Sequence, residues 1–117
     1  TMVYPYEDNG PGDWMAREFF SGGLMPSHNL LLNFQDDLKI DASWKVNGQH
    51  YEKTSYAWLE NMDNNKKEIS SIFNDTYGVE NSKMWFQRWR IFFLSCAVMF
   101  GIKEGTEWGV SHYRFVK

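Results

Sequence analysis

The sequence predicts an α/β fold with two long helices, two short helices and two strands. One segment near the middle alternates strictly between apolar and polar residues, which is typical of a strand with one buried face. Aromatic residues recur at helical spacing over residues 80–100, which indicates a long amphipathic helix. A length of 117 residues allows one domain at most.

Two short helices are expected before residue 38. Residues 1–12 hold two of the three prolines and are expected to be irregular. Asp13 is placed to cap a helix from Trp14 to Phe20, which Ser21-Gly22-Gly23 would end. Ser27 is the expected cap of the second helix. The apolar face of that helix consists of Leu30, Leu31 and Phe34.

The alternating segment comes next. Its polar positions are Lys39, Asp41, Ser43 and Lys45, and its apolar positions are Ile40, Ala42, Trp44 and Val46. Because successive side chains of a strand point to opposite faces, the four apolar residues share one face. We expect a strand at or near a sheet edge, with Asn47-Gly48 as the turn that ends it.

Two long helices follow, separated by Tyr77-Gly78. The first is expected from about Thr54 to Phe73, with a polar interruption at Asn64-Asn65. Its apolar stripe consists of Trp58, Met62, Ile69, Ile72 and Phe73. The second is expected from about Glu80 to Phe100. Its stripe, within one helix face, consists of Trp85, Trp89, Phe92, Phe93, Cys96 and Phe100.

The last strand is expected from Glu107 to Lys117, with apolar residues on both faces. Tyr113 and Phe115 share one face, and Trp108 and Val110 share the other. Burial on both faces suits a strand inside a sheet rather than at its rim. Two strands cannot make such a sheet, so the chain either oligomerises or is the tail of a longer protein. A start without an initiator methionine favours the second interpretation.

The composition excludes several classes of protein. The 12 Lys and Arg against 15 Asp and Glu give a net charge of −3, without a basic run that would bind nucleic acid. The content of six Trp, six Tyr and nine Phe excludes a disordered polar tail. No stretch approaches the roughly 20 apolar residues of a transmembrane span. The single cysteine fits a reducing compartment, and a cytoplasmic location is expected.

The sequence contains no established catalytic or metal-binding pattern. The histidines, His28, His50 and His112, lack the spacing of zinc ligands, and the glycine pairs do not continue as a phosphate-binding loop. Cys96 lies on the apolar stripe and is expected to be an inert buried thiol. The stripe itself has two interpretations: a helix core, or the wall of a pocket for apolar or cationic ligands.

Several motifs in order resemble those of one family. Residues 19–27 form an FFxGGxMPS segment, and His50 to Thr54 with Trp58 match an HYxxT…W motif. Residues 31–38, 89–97 and 107–113 continue the similarity. By these motifs the chain is similar to the cyclopropane-fatty-acyl-phospholipid synthase superfamily, and specifically to the branch that contains plant coclaurine N-methyltransferases.

This resemblance implies that residues 1–117 are the C-terminal, substrate-side portion of a Rossmann-like methyltransferase that uses S-adenosylmethionine. In that family the cofactor loop and the reacting-centre residues lie in the N-terminal half, so we expect this chain alone to be inactive and to bind no cofactor. The segments Leu38–Asn47 and Glu107–Lys117 would be the last two antiparallel strands. The residues expected to border the acceptor pocket are Phe20, Trp89, Phe92 and Phe93.

One position departs from the lipid-cyclopropanating members, which carry a tyrosine where this chain has Phe92. A phenyl ring offers no hydroxyl to hold bicarbonate, so we expect N- or C-methylation of a small amine or lipid-like acceptor instead. The alternative is a non-catalytic helical interaction or dimerisation module. In either case we expect this chain to form a homodimer or a swapped oligomer, or to expose an apolar patch.

Overall fold

A computed structural model describes residues 4–117 of the chain. The elements in order are β1 (Tyr4–Pro5), α1 (Trp14–Glu18), β2 (Leu24–Met25), a 3-10 helix (Leu30–Asn33), β3 (Lys39–Asn47), α2 (Gly48–Asn64), α3 (Lys66–Tyr77), α4 (Val79–Gly105) and β4 (Gly109–Val116). They form two compact units. The first contains the described residues up to Lys45 together with Ser111–Lys117, and the second is Val46–Val110.

The first short helix is shorter than expected and is not capped as expected. It ends at Glu18, where the amides of Phe19 and Phe20 both donate to the Met15 carbonyl. Asp13 lies at the N-cap position, but its side chain accepts a hydrogen bond from the Asn9 amide and none from the helix. The predicted cap is therefore wrong, because the Asp13 carboxylate pairs with the preceding loop.

The second short helix is a single 3-10 turn. Ser27 does not cap it, since the N-cap position is held by Asn29 and no side chain caps it. The side-chain amide of Asn33 donates to the Leu30 carbonyl at 3.1 Å, and the side-chain amide of Gln35 donates to the Leu32 carbonyl at 3.0 Å. Side chains that occupy backbone carbonyls in this way compete with helix propagation, which explains the short element.

Strands β3 and β4 pair with each other, as predicted. Trp44 faces His112 with ring centroids 5.5 Å apart, and Arg114 forms an ion pair with Asp41. These partners run in opposite directions along the chain, which confirms the antiparallel arrangement. Ile40, Ala42 and Val46 are half-buried as the alternation requires, but Trp44 is 49% exposed.

Strand β4 does not reach the burial expected of an interior strand. Among residues 4–117, β3 is its one neighbour in the sheet. Phe115 remains 38% exposed and Val116 remains 47% exposed. The expectation failed because burial on both faces needs a packed layer on each side of the sheet, and the described residues leave Phe115 and Val116 exposed.

The first long helix is in fact two helices with a different start. Helix α2 begins at Gly48, because the Asn47 side chain caps it by accepting a hydrogen bond from the backbone N–H of Gln49 at 2.8 Å. The predicted turn at Asn47-Gly48 is therefore a direct passage from strand to helix. The helix stops at Asn65, whose backbone has φ −106° and ψ 26° and whose side chain donates to the Asn61 carbonyl at 2.8 Å.

The second long helix is confirmed as α4, preceded by Gly78 at φ 85°. Its buried residues are Ser82, Phe86, Cys96, Ala97, Phe100 and Gly105. Only two members of the predicted stripe, Cys96 and Phe100, belong to that set. The other four, Trp85, Trp89, Phe92 and Phe93, are only half-buried, so the core face of α4 is rotated away from the aromatic stripe.

Helix α4 also carries a second apolar stripe that is exposed. Its members are 43–57% exposed, and they are Met84, Ile91, Leu94, Val98 and Ile102. The expectation of an apolar patch larger than a few hundred Å² stays a prediction. No helix within residues 4–117 is long and apolar enough to cross a membrane.

Close backbone packing holds the start of α2 against the end of α4. A Cβ atom on Gly48 would lie 2.2 Å from the Trp108 carbonyl oxygen and 2.3 Å from that of Phe100. The side-chain amide of Asn47 donates to the Glu104 carbonyl at 3.1 Å across the same junction. Only glycine fits at this position.

We therefore predict that Gly48→Ala destabilises the protein by about 3 kcal/mol or more, because the methyl group must displace two backbone carbonyls. Urea unfolding followed by circular dichroism measures this change. Gly10→Ala is the matched control, since nothing lies within 4 Å of the Cβ position at Gly10. Equal stability of the two variants would contradict the packing described here.

Candidate functional site

An open apolar groove lies between α2, α3 and α4. Its volume is about 630 Å³, within the range of roughly 300–1,000 Å³ typical of small-molecule sites. The lining residues are Trp58, Asn61, Met62, Asn65, Ile69, Ile72, Phe73, Trp89 and Phe93. None of these described residues is charged, so the groove suits a ligand with an apolar body.

Three aromatic rings of α4 form a cluster at the groove. Trp89 and Phe92 have ring centroids 5.4 Å apart, Trp89 and Phe93 5.8 Å, and Phe92 and Phe93 5.6 Å. Trp58 of α2 approaches Phe93 to 5.9 Å. The rings are tilted or edge-on to each other, which is a favourable arrangement for aromatic pairs.

The structure brings together three of the four residues expected to border a pocket. Trp89 and Phe93 line the groove, whereas Phe92 contacts both rings and is not among the lining residues. Phe20 lies in the other unit, 38% exposed, with its ring 4.9 Å from that of Tyr6.

The contribution of α2 and α3 to the groove was missed from the sequence. The sequence predicts one apolar stripe on a single helix and no site on it; its members include Trp58, Ile69, Ile72 and Phe73. Because the helix is interrupted at Asn65, the two halves of the stripe lie on two helices and form two walls of the groove. The polar pair Asn64-Asn65 was the available signal for this break.

Polar contacts surround the groove and connect its walls. The indole N–H of Trp89 donates to the Tyr77 hydroxyl at 3.2 Å, which links α4 to α3. The Arg90 guanidinium holds the Asp63 carboxylate through bonds of 2.7 and 3.0 Å, which links α4 to α2. The Asp63 hydrogen bonds and charge raise the pKa of Arg90 above its usual value.

Cys96 is buried in the helical core rather than presented to the groove. It is 6% exposed, and burial raises the pKa of its thiol. Burial also raises the pKa of Tyr51, and the nearby Cys96 raises it further. A buried thiol with a raised pKa is a poor nucleophile, in agreement with the expectation of an inert cysteine.

The β3–α2 junction does not have the geometry of a nucleotide-binding turn. A Rossmann-type site needs a glycine-rich turn between a strand and a helix, where the backbone can approach the ligand. At the β3–α2 junction the space beside Gly48 is already filled by the carbonyls of Phe100 and Trp108. Within residues 4–117 there is also no group of three His, Cys, Asp or Glu side chains that could hold a metal.

The raised pKa of Cys96 predicts a loss of stability at alkaline pH. The unfolded thiol ionises first, so the contribution of Cys96 to the free energy of unfolding is fully present below about pH 8 and is lost as the pH rises above that value. Urea unfolding at pH 7–10.5 measures the slope. Cys96→Ala removes the thiol, and a wild-type slope no steeper than that of this variant between pH 8 and 10 would contradict the prediction.

Comparisons with known proteins bear on what the groove binds. The chain is 35% identical over 120 residues to (S)-coclaurine N-methyltransferase from Papaver somniferum, covering 100% of this chain and 34% of the relative. It is 35% identical over 121 residues to the same enzyme from Thalictrum flavum subsp. glaucum, and 32% identical over 120 residues to a pavine N-methyltransferase from that plant, with the same coverage. No protein-family model matches the chain.

A solved structure has the same fold. It is a coclaurine N-methyltransferase bound to N-methylheliamine and SAH, with a TM-score of 0.84 and 35% identity. The match covers 100% of this chain and 35% of that chain. The chain thus spans about a third of the length of the relatives that it matches. The resemblance to coclaurine N-methyltransferases deduced from the motifs is confirmed.

Proposed function

We propose that this chain, which is homologous over its whole length to the C-terminal part of coclaurine N-methyltransferases, forms one wall of the acceptor pocket of an N-methyltransferase. The observation that carries the proposal is the groove of about 630 Å³ with its aromatic and aliphatic lining. A solved relative with this fold holds N-methylheliamine and SAH. The proposed reaction is N-methylation of a small amine.

The lining determines how an acceptor would be held. Trp58, Trp89 and Phe93 bury the apolar body of the acceptor and exclude water from it. The ring faces also attract a cationic nitrogen. Because no charged side chain lines the groove, selection depends on apolar shape and on the ring faces rather than on an ion pair. Fixed positioning in a dry site contributes to the rate of such a transfer.

The cofactor proposed for the whole enzyme is S-adenosylmethionine, which supplies the methyl group. The β3–α2 junction does not fit it, since Gly48 is packed against carbonyls. We therefore assign residues 1–117 to the substrate side of the methyltransferase domain and propose that the cofactor is bound by a part of the enzyme outside these residues.

Phe92 bears on the type of reaction. Its ring packs on Trp89 and Phe93 at the edge of the aromatic cluster. The phenyl group has no hydroxyl that could hold bicarbonate, which favours methylation over cyclopropane formation. The assignment of Phe20 to the pocket rests on the family resemblance and remains a prediction.

We predict that the isolated chain binds no S-adenosylmethionine. The β3–α2 junction is closed by carbonyls at Gly48, and the open turn at Gly10 and Gly12 joins a strand of two residues to a helix of five residues, too short for a Rossmann-type site. Isothermal titration calorimetry at micromolar protein concentration measures this. A helical far-UV circular dichroism spectrum of the same sample is the control for a folded chain. A stoichiometric heat with S-adenosylmethionine would contradict the assignment of this chain to the substrate side.

The pocket proposal is tested in a chimera that joins residues 1–117 to the unmatched two-thirds of the Papaver somniferum coclaurine N-methyltransferase. We expect Phe93→Ala to lower kcat/KM for coclaurine about tenfold or more, because a ring that buries the acceptor is lost. The melting temperature is measured in parallel. Phe34→Ala is the matched control, since Phe34 is 66% exposed and does not line the groove.

The result for Phe93→Ala has two informative outcomes. A lower kcat/KM with an unchanged melting temperature supports a pocket wall. A lower melting temperature with unchanged kinetics of the folded fraction identifies Phe93 as a core residue and contradicts the proposal. The same chimera shows whether the chain supports catalysis at all.

A dimerisation module is the second candidate function. The exposed apolar stripe of α4, which runs from Met84 to Ile102, favours it. A second copy of the chain is the occupant that this candidate requires. An inactive chimera, together with a stable dimer of the chain in light scattering, would favour this function over the first.

A further inference from the structure

Tyr77 contacts the aromatic wall of the groove without lining it. It is the last residue of α3, and its hydroxyl accepts the indole N–H of Trp89 at 3.2 Å. Trp89 lines the groove, whereas Tyr77 is not among the lining residues. Tyr77 therefore contacts Trp89 from outside the groove lining.

The ring of Tyr77 is held in place by neighbours on α3 and α4. It stacks on Trp85 with centroids 4.4 Å apart and planes inclined by 10°. Phe73 meets the Tyr77 ring nearly edge-on at 5.3 Å. The Arg88 guanidinium lies 4.7 Å from the Trp85 ring, which extends the stack by one layer. These contacts fix the direction in which the Tyr77 hydroxyl points.

A fixed hydroxyl determines the orientation of the indole. The indole has one N–H donor, and a half-buried donor without a partner costs free energy. While Tyr77 accepts this hydrogen, Trp89 can satisfy its donor and keep its ring in the aromatic cluster with Phe92 and Phe93. Without that acceptor, rotamers that turn the N–H towards water become competitive.

We propose that Tyr77 is a positioning residue for acceptor binding, which acts by fixing the indole plane of Trp89 in the groove wall. The inference rests on the proposed function of the groove, because it assigns Trp89 to the binding surface. It adds that the Trp89 N–H is directed to Tyr77 rather than to the ligand. The indole then offers its apolar ring, and the groove selects ring systems and cations rather than hydrogen-bond acceptors at this position.

The test is Tyr77→Phe in the full chain, which removes the hydroxyl and keeps the ring that stacks on Trp85. The first readout is the indole N–H resonance of Trp89 in a ¹⁵N-labelled sample, assigned with Trp89→Phe. The second readout is the Kd for N-methylheliamine in the chimera with the unmatched two-thirds of the Papaver somniferum enzyme, which completes the proposed pocket. We expect the Trp89 resonance to shift and the Kd to rise about three- to tenfold, as the loss of one neutral hydrogen bond allows, with little change in melting temperature.

Tyr56→Phe is the matched control. Tyr56 lies on α2, is 45% exposed and does not line the groove. We expect neither its Trp89 resonance nor its Kd to differ from wild type. An unchanged Trp89 resonance in Tyr77→Phe would overturn the inference, and so would a shifted resonance with an unchanged Kd.

Failure of the inference can be distinguished from failure of the proposed function. If the chimera binds N-methylheliamine and Trp89→Ala abolishes binding, the groove is a ligand site whatever Tyr77→Phe does. If the chimera with the wild-type sequence of residues 1–117 does not bind the compound, the assignment of the groove is wrong and the proposed role of Tyr77 in binding is wrong with it.

Discussion

The close approach of backbone at the start of α2 is the constraint on which the helical unit depends. Gly48 packs against the carbonyls of Phe100 and Trp108, and Asn47 caps α2 while it donates to the Glu104 carbonyl. Gly109 continues this packing, since a Cβ there would lie 2.8 Å from the Val46 carbonyl oxygen. The start of α2 thus lies against the end of α4, and β4 begins beside the end of β3.

This arrangement leaves an open groove, not a closed core, between α2, α3 and α4. The core face of α4 is supplied by Phe86, Ala97 and Phe100, which are at most 8% exposed. Helix α3 has no fully buried residue and lies between two breaks, at Asn65 and at Gly78. It therefore covers the aromatic stripe only in part. Half-buried aromatic rings retain surface that a ligand can cover, which a closed core does not.

The proposed function assigns acceptor binding to this chain and cofactor binding to another part of the methyltransferase. This chain matches about a third of the length of its relatives, and its described residues form an aromatic groove whose lining carries no charged side chain. Its β3–α2 junction is closed by backbone carbonyls at Gly48, so the groove is the feature on which the proposal rests. The contact between Tyr77 and Trp89 shows how residues outside the groove can set the shape of its wall.

The sequence was sufficient to predict β3, the course of α4 and the resemblance to coclaurine N-methyltransferases, because alternation, helical spacing and short motifs are read from the sequence itself. The tertiary structure alone decided the break at Asn65, the start of α2 at Gly48 and the face of α4 that is buried. Periodicity identifies residues that share a face, but it does not identify what that face meets. An apolar stripe is equally required for a core and for a ligand groove. The position of α3, set by contacts distant in sequence, left Trp89 and Phe93 lining an open groove instead of a closed core.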